Sequence, residues 1–387
     1  MIGVFLTKRN QDEGGGKTIT DEIFFSFIKK LNRNNNKFIF LISNDTNNFY
    51  VKELKKKNLI YTKINENNLS KKILIYLCHL SEVCNLIIHK FNLLKLNNFF
   101  REKNCKIIWF LSSEYREPIN VPYIATVWDL QFKTHPQFKE VGSFFKKLFK
   151  NLVHVNFIKN SNKVITGTIV GKKEILKLIG FKKKILILPH PVSETFLKKK
   201  KNNKIKNNNI LFKKKFFLYP ANFWKHKNHN NLIKAYYKFQ LKYHNYNLVL
   251  TGKQENDFKN IVKLIQDYKL DKKIFIMNYV NLNYLIDLYD NCHAVIYVPF
   301  SGPENLPPLE AMARKKILIN SLYKGAFEQL KRHPIYVNPN SIESICNGMK
   351  KSINEKFNKK IIEAHNYVKL KSSKNYIKSI INELTEY

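Results

Sequence analysis

Short, uninterrupted apolar runs rich in Ile, Val and Phe recur along this 387-residue chain, and segments of helical period separate them. Continuous runs of this kind suit strands covered on both faces, as in a parallel sheet, whereas a half-wet sheet would alternate. The runs form two series. The first predicts strands near 2–6, 37–42, 86–89, 106–110, 122–127, 163–166 and 185–188. The second predicts them near 216–219, 247–251, 273–277, 294–298, 317–320 and 334–337. Between the runs lie helical stripes: Ile19, Ile23, Phe27 and Leu31 in one, and Leu232, Ile233, Tyr236 and Phe239 in another. Thr18 and Asp21 are spaced as a capping box for the first helix. Strand–helix alternation on this scale predicts an α/β protein with two doubly wound sheets.

Composition marks the boundary between the series. Residues 198–215 hold nine Lys, five Asn and no acid, so they read as a solvated basic linker, with an electrostatic tether as the alternative. The whole chain has 68 Lys plus Arg against 29 Asp plus Glu, a formal charge of +39, and its 44% hydrophobic content excludes wholesale disorder. Only six of the basic residues are Arg, the side chain that reads bases and phosphates bidentately, so no specific nucleic acid is expected. The 49 Asn rise together with Lys, Ile, Phe and Tyr, a pattern of AT-rich coding sequence drifting at exposed positions. A surface selected for polyanions is the alternative. Five cysteines without CxxC spacing imply neither a disulfide framework nor a zinc site, and fit a reducing compartment. The apolar opening at 2–6 is too short for a signal-peptide core, and no run reaches the ~18 residues of a membrane span. A soluble, cytoplasmic protein is expected.

Five segments could carry chemistry. Glu13-Gly14-Gly15-Gly16-Lys17-Thr18 follows the first strand and opens a helix, where glycines admit a ligand and free N–H groups meet an anion or a hydroxyl. Gln11 stands where a Walker loop needs glycine, so a nucleoside triphosphatase is not indicated. Asp129 lies just beyond the run at 122–127, at the carboxyl edge of a sheet where ligands bind, with a turn or cap as its structural reading. His190, between Pro189 and Pro191, is placed similarly. Tyr219 to His229 gathers Asn222, Lys225 and Lys227 at a strand-to-helix turn, a candidate phosphate site. Finally Gly302-Pro303-Glu304-Asn305-Leu306-Pro307-Pro308 leads into a helix bearing Glu310, a carboxylate able to accept from two ribose hydroxyls or, alternatively, to cap the helix.

Together these segments resemble the family-4 glycosyltransferases of the GT-B fold. Gly302 to Ala313 is similar to that family's signature loop and helix, and Tyr219 to Tyr236 to the Tyr-Pro-Ala-x-Phe-Trp segment of a polysaccharide-associated subgroup. Val127 to Phe138, Ile165 to Ile175, Leu188 to Pro191, Leu250 to Lys253 and Lys324 to Leu330 add supporting matches. The resemblance implies two Rossmann-like domains facing a cleft: residues 1–197 on the acceptor side, and 216–365 holding the donor after the 198–215 linker. Residues 366–387 would form a C-terminal helix packing back towards the first domain.

The implied reaction moves a hexose, mannose favoured, from a nucleotide-diphospho-sugar to a glycan or lipid-linked acceptor. It proceeds with retention, without a metal and without a resident cofactor. Asp129, Lys227 and Glu310 match catalytic positions, Lys227 as the diphosphate contact and Glu310 as the ribose carboxylate. Gly14, Gly15, Gly16, Asn222, Gly302, Pro303, Glu304, Asn305 and Leu306 complete the implied donor site. Three positions depart from the common pattern: Asn222 replaces an Arg, Gly302 replaces a first Glu, and Trp128 precedes Asp129 in place of His. The basic surface further implies peripheral contact with an anionic membrane at the inner face of the plasma membrane. The competing class is a polyanion-binding protein on a catalytically silent scaffold of the same fold. An epimerase or phosphorylase of that shape is a third reading.

Overall fold

The structure, a computed structural model, describes residues 1–6, 15–44, 46, 48–64, 69–111, 117–138, 142–198 and 214–386. It divides into two units. The first comprises Met1–Gln137, Val141–Pro189 and Ser373–Tyr387; the second is His190–Ser372, joined by Phe138, whose ring stacks on Phe300 at 6.1 Å.

The first unit contains strands β1 (Ile2–Leu6), β2 (Phe38–Ser43), β3 (Ile60–Ile64), β4 (Ile107–Phe110), β5 (Tyr123–Thr126), β6 (Lys163–Thr166) and β7 (Lys184–Ile187). They form one parallel sheet in the order β3-β2-β1-β4-β5-β6-β7. Every residue of β1, β2, β4, β5 and β6 is buried, as continuous apolar runs require. Phe5 stacks on Phe110 at 5.1 Å, Phe110 meets Phe157 edge-on at 4.9 Å, and the Tyr123 hydroxyl donates to the Phe157 carbonyl at 2.6 Å.

The second unit contains β8 (Lys215–Pro220), β9 (Tyr246–Thr251), β10 (Ile274–Met277), β11 (Ala294–Tyr297), β12 (Ile317–Ser321) and β13 (Ile335–Val337). These are also all parallel, in the order β10-β9-β8-β11-β12-β13. Successive residues of one strand enter different cores. Phe217, Tyr219, Leu248, Leu250 and Ile296 pack into one, and Phe216, Leu218, Val249 and Val295 into the other. The sheet is therefore covered on both faces.

Several expectations are corrected. The run at 86–89 is not a strand but lies in the helix Glu82–Lys90, whose first turn is capped by Ser81 accepting from Cys84 N. Three apolar residues and a His fit either element, and here only Ile88 of the run is buried while Leu86 and Ile87 are exposed. The strand missing from the first series is β3, a half-exposed edge strand whose Tyr, Thr and Lys hide the apolar signal. Thr18 does not cap, because the first helix runs Gly15–Lys30 and Asp21 pairs with Lys17 and Tyr50 instead.

The domain boundaries move as well. Residues 190–197 belong to the second unit, since Val192 and Phe196 fill its core and Val192 N donates to Lys371 O at 3.0 Å. Residues 199–213 of the expected linker lie outside the described residues, and Lys215 already belongs to β8. The segment 366–387 is divided. The helix Asn358–Lys369 stays with the second unit, where Ala364 and Val368 are core residues, and the chain returns to the first unit only at Ser373. There the helix Ser373–Thr385 packs on Gly15–Lys30 and Glu383 pairs with Lys163 at 2.8 Å.

Gly252, just past β9, has φ +156° and no room for a side chain: a Cβ would sit 2.4 Å from Ala221 O and 2.7 Å from Asn222 N. Gly180 ends the helix Ile169–Ile179 at φ +72° with open space around it. Gly252→Ala should therefore cost ~2–3 kcal/mol and Gly180→Ala only ~1 kcal/mol, read by urea unfolding of the two variants.

Candidate functional site

In the second sheet the chain winds outward from β8 through β9 and β10, then starts again at β11 and winds the other way. The connections leaving β8 and β11 therefore diverge from adjacent strand ends, the place where a doubly wound sheet opens a crevice. The helices that follow, His229–Gln240 and Leu306–Ala313, both begin here, and neither N-terminus carries a side-chain cap bond. Both offer backbone N–H groups and the positive end of a helix dipole.

Lys227 ends a single 3-10 turn, Lys225–Lys227, after β8. Asn228 follows in the left-handed region at φ +63°, and its amide donates to Val298 O at 2.9 Å and Pro339 O at 2.8 Å. These bonds tie the turn after β8 to the loops after β11 and β13, and the Tyr219 hydroxyl, donating to Lys227 O, ties it to the sheet. The Lys227 ammonium donates to Tyr297 Oη at 3.0 Å and to Asn305 Oδ1 at 3.4 Å, and Tyr297 donates to the same Oδ1 at 2.8 Å. Burial holds the Tyr297 phenol well above its usual range, so this partner stays neutral.

Asn305 is itself fixed on every side. Its Nδ2 donates to Tyr323 Oη at 2.7 Å, its N–H to Gln329 Oε1 at 3.1 Å, and its carbonyl accepts from Gln329 Nε2 at 2.9 Å. Gly302 (φ +148°) lets that amide approach, since a Cβ there would stand 2.7 Å from Asn305 Nδ2. Gly325, on the facing helix Lys324–Leu330, makes room for the loop backbone instead, since a Cβ there would meet Pro303 O at 2.6 Å. Leu306 is buried at the start of its helix. One turn on, Glu310 is buried and accepts from the Tyr289 hydroxyl at 2.7 Å. Burial pushes its carboxyl up to about 7, with the Tyr289 bond acting in the opposite direction.

The other expected site residues fall elsewhere. Glu304 accepts from His190 N at 3.1 Å, and its second oxygen lies 3.4 Å from His190 Nε2, so it anchors the loop to the segment entering this unit. Burial raises that carboxyl and lowers His190 to about 3, so the ring contact is not an ion pair and the hydrogen bond between the two residues is the one from the His190 backbone. Asn222 Oδ1 accepts from Lys253 N at 2.9 Å, a bond that ties the loop after β8 to the loop after β9. Asp129 belongs to the first unit, where it is exposed and closes a turn just before the helix Gln131–Thr134, its Oδ1 accepting from Gln131 N at 2.9 Å. Gly15 and Gly16 open the first helix with space for a Cβ at each, and Gly14 lies outside the described residues. The site thus gathers Lys227, Asn305, Gly302 and Glu310. It adds Tyr289, Tyr297, Tyr323, Gly325 and Gln329, which sequence reasoning did not single out. Gly325 and Gln329 lie in the quoted Lys324 to Leu330 segment, the one signal that pointed to them.

Residues 200–368 match the family described as Glycosyl transferases group 1. The O-antigen chain mannosyltransferase RfbU of Salmonella typhimurium is 26% identical over 204 residues, 52% of this chain and 54% of that protein. The chain thus matches about half the length of that curated relative. A glycosyltransferase from Rickettsia africae superimposes with a TM-score of 0.67 at 18% identity, covering 100% of this chain and 97% of that one. The Anabaena protein HepE, solved in complex with UDP, gives a TM-score of 0.72 at 14% identity with 100% of both chains covered. The two parallel Rossmann-like sheets are those of the GT-B fold, and the similarity in sequence to group 1 glycosyl transferases runs through the unit that holds Lys227 and Glu310.

Proposed function

We propose that the protein transfers a hexose, mannose favoured, from a nucleotide-diphospho-sugar to a glycan or lipid-linked acceptor, in the synthesis of a cell-surface polysaccharide. The observation that carries this reading is the Lys227–Tyr297–Asn305 cluster between two uncapped helix N-termini at the reversal point of the second sheet. Cleavage of the anomeric C–O bond builds negative charge on the departing diphosphate, and a fixed ammonium with two helix dipoles stabilises charge that forms there. That arrangement can supply what a metal supplies elsewhere, so the proposal invokes no metal and no resident cofactor. Glu310, ionised, would accept from the two ribose hydroxyls. Gly302, Pro303 and Leu306 shape the loop beside it. Attack by the acceptor from the leaving-group face gives retention without a protein nucleophile, and Asp129, exposed beyond the carboxyl end of β5, belongs to the acceptor side of the proposal. The similarity to an O-antigen mannosyltransferase supports the choice of mannose and of a polysaccharide product. The proposed place of action is the inner face of the plasma membrane.

Turnover of GDP- and UDP-sugars by the purified protein tests this, together with Lys227→Ala and Glu310→Ala. Removing the charge that meets the leaving group should lower kcat ~100-fold or more. Absence of both turnover and donor-induced thermal stabilisation across the panel, with steeply salt-dependent nucleic-acid binding in their place, would establish the polyanion-binding alternative.

The raised Glu310 carboxyl adds a pH signature. In the unliganded protein it keeps its proton up to about pH 7, whereas the unfolded chain loses it near 4.5. The folded form binds more protons in that window, so stability falls as pH rises from 4.5 to 7, by ~3 kcal/mol at most. Glu310→Gln should flatten that slope in thermal unfolding. Nucleotide binding, which needs the carboxylate, should run the other way and weaken roughly tenfold per unit of pH below 7 in calorimetric titration.

A further inference from the structure

Three helices of the first unit pack on one another. Leu69–Leu80 lies against Glu82–Lys90, and also against the π-type turn Lys150–His154 that continues the helix Phe144–Phe149. Tyr76 stacks on Phe149 at 5.9 Å, and Asn156 donates to His79 O at 3.0 Å. Their inner sides are ordinary core, with Ile75, Cys78, Ile88 and Val153 buried.

The outer sides are not ordinary surface. Leu69, Ile73 and Leu80 are exposed along one stripe of the first helix, and Val83, Leu86 and Ile87 along one stripe of the second. Phe144 and Phe145, at 74% and 78% exposure, do the same on the third. Of the 23 large apolar residues exposed among the described residues, nine lie on these three helices, which so concentrate what is otherwise scattered singly.

The charge around them is one-sided. Residues 69–95 and 142–154 contain seven Lys and a single acid, Glu82. Lys72, Lys90 and Lys95 are exposed. A second copy of the chain would bring lysines against lysines, which opposes self-association through this face. An anionic bilayer offers what the surface lacks, negative headgroups for the lysines and an apolar layer for Leu and Phe, while long lysine stems lie along the boundary. No helix among the described residues is long and apolar enough to cross a membrane, so the mode is insertion into one leaflet's interface.

We propose that the helices Leu69–Leu80, Glu82–Lys90 and Phe144–Phe149 form a docking surface that inserts into the interface of an anionic lipid bilayer. It deepens the lipid-linked-acceptor reading of the function and rests on it for purpose, but vesicle binding needs neither donor nor acceptor, so either can fail without the other. The full chain is sedimented with phosphatidylcholine vesicles, with and without phosphatidylglycerol, at low and high salt. Binding should require the anionic lipid and weaken as salt shortens the Debye length. Phe144→Ser with Phe145→Ser should reduce partitioning about tenfold or more, and Lys72→Gln with Lys90→Gln roughly fivefold per lysine. Leu86→Ser with Ile87→Ser reads the same surface from another helix, should the Phe pair disturb folding by circular dichroism. No sedimentation of the parent with anionic vesicles overturns the proposal. So does unchanged sedimentation of all three variants, which assigns binding to the general lysine content. Self-association of the parent that these variants abolish, with vesicle binding intact, assigns the face to a second copy and overturns it too.

Discussion

A parallel strand cannot return by a hairpin, and from that constraint most of this molecule follows. Each connection has to pass over one face of the sheet, so both faces become covered and neighbouring residues of a strand must satisfy different cores. Phe216 and Phe217, or Val249 and Leu250, show that division directly. The same constraint puts every strand's exit at one edge. Where the winding reverses, between β8 and β11, the exits diverge and the backbone itself leaves a gap. Lys227 and Asn305 meet because they sit on the two connections that leave that point, and Tyr297 stands between them because β11 ends there.

How much of this could be read beforehand depended on whether a residue's signal is local. Buried strands are legible because continuous apolar runs have few other uses. The half-wet edge strand β3 escapes the sequence and the four-residue run at 86–89 looks like a strand, because edge exposure and helical burial erase that distinction. Lys227 and Glu310 stood out through their motif surroundings. Tyr297 did not, since a tyrosine closing an apolar strand looks like core until its hydroxyl is seen to meet an ammonium. Glu304 and Asp129 were assigned by motif position, but the structure gives both local bonding roles: one is buried against His190 and the other caps a turn. Gly325 meets the Gly302 and Pro303 carbonyls and Gln329 bonds Asn305, each across a gap of more than twenty residues, and no spacing rule predicts which carbonyl a distant glycine must avoid.

The charge excess separates into distinct uses when followed residue by residue. Lys163 and Lys184 hold Glu383, whose carboxyl is lowered because their hydrogen bonds outweigh its partial burial. Arg314, one of only six arginines, grips Asp290 with two nitrogens, at 2.7 and 2.5 Å, and donates to Phe196 O and Lys198 O. It clamps the segment that enters the second unit, a task for a planar fork rather than a point charge. Lys227 meets the neutral oxygens of Tyr297 and Asn305, and on the first of the exposed apolar helices Lys71 pairs with the buried Glu117 at 3.1 Å while Lys72 faces solvent. A single net figure hides these differences.

The division of the chain also sets an order of events. The second unit is essentially one uninterrupted stretch, entered at His190 and left at Ser372, with Val192 paired to Ser372 where the two ends meet. The first unit is interrupted: its opening helix, Gly15–Lys30, is covered by Ser373–Thr385, more than three hundred residues later. As the polypeptide emerges from the ribosome, the later-encoded unit has all its strands before the earlier one has its covering helix. Ile377 and Ile380, fully packed in the finished protein, must wait for synthesis to pass the whole second sheet. Until then the hydrophobic surface they cover is left to solvent or to a chaperone.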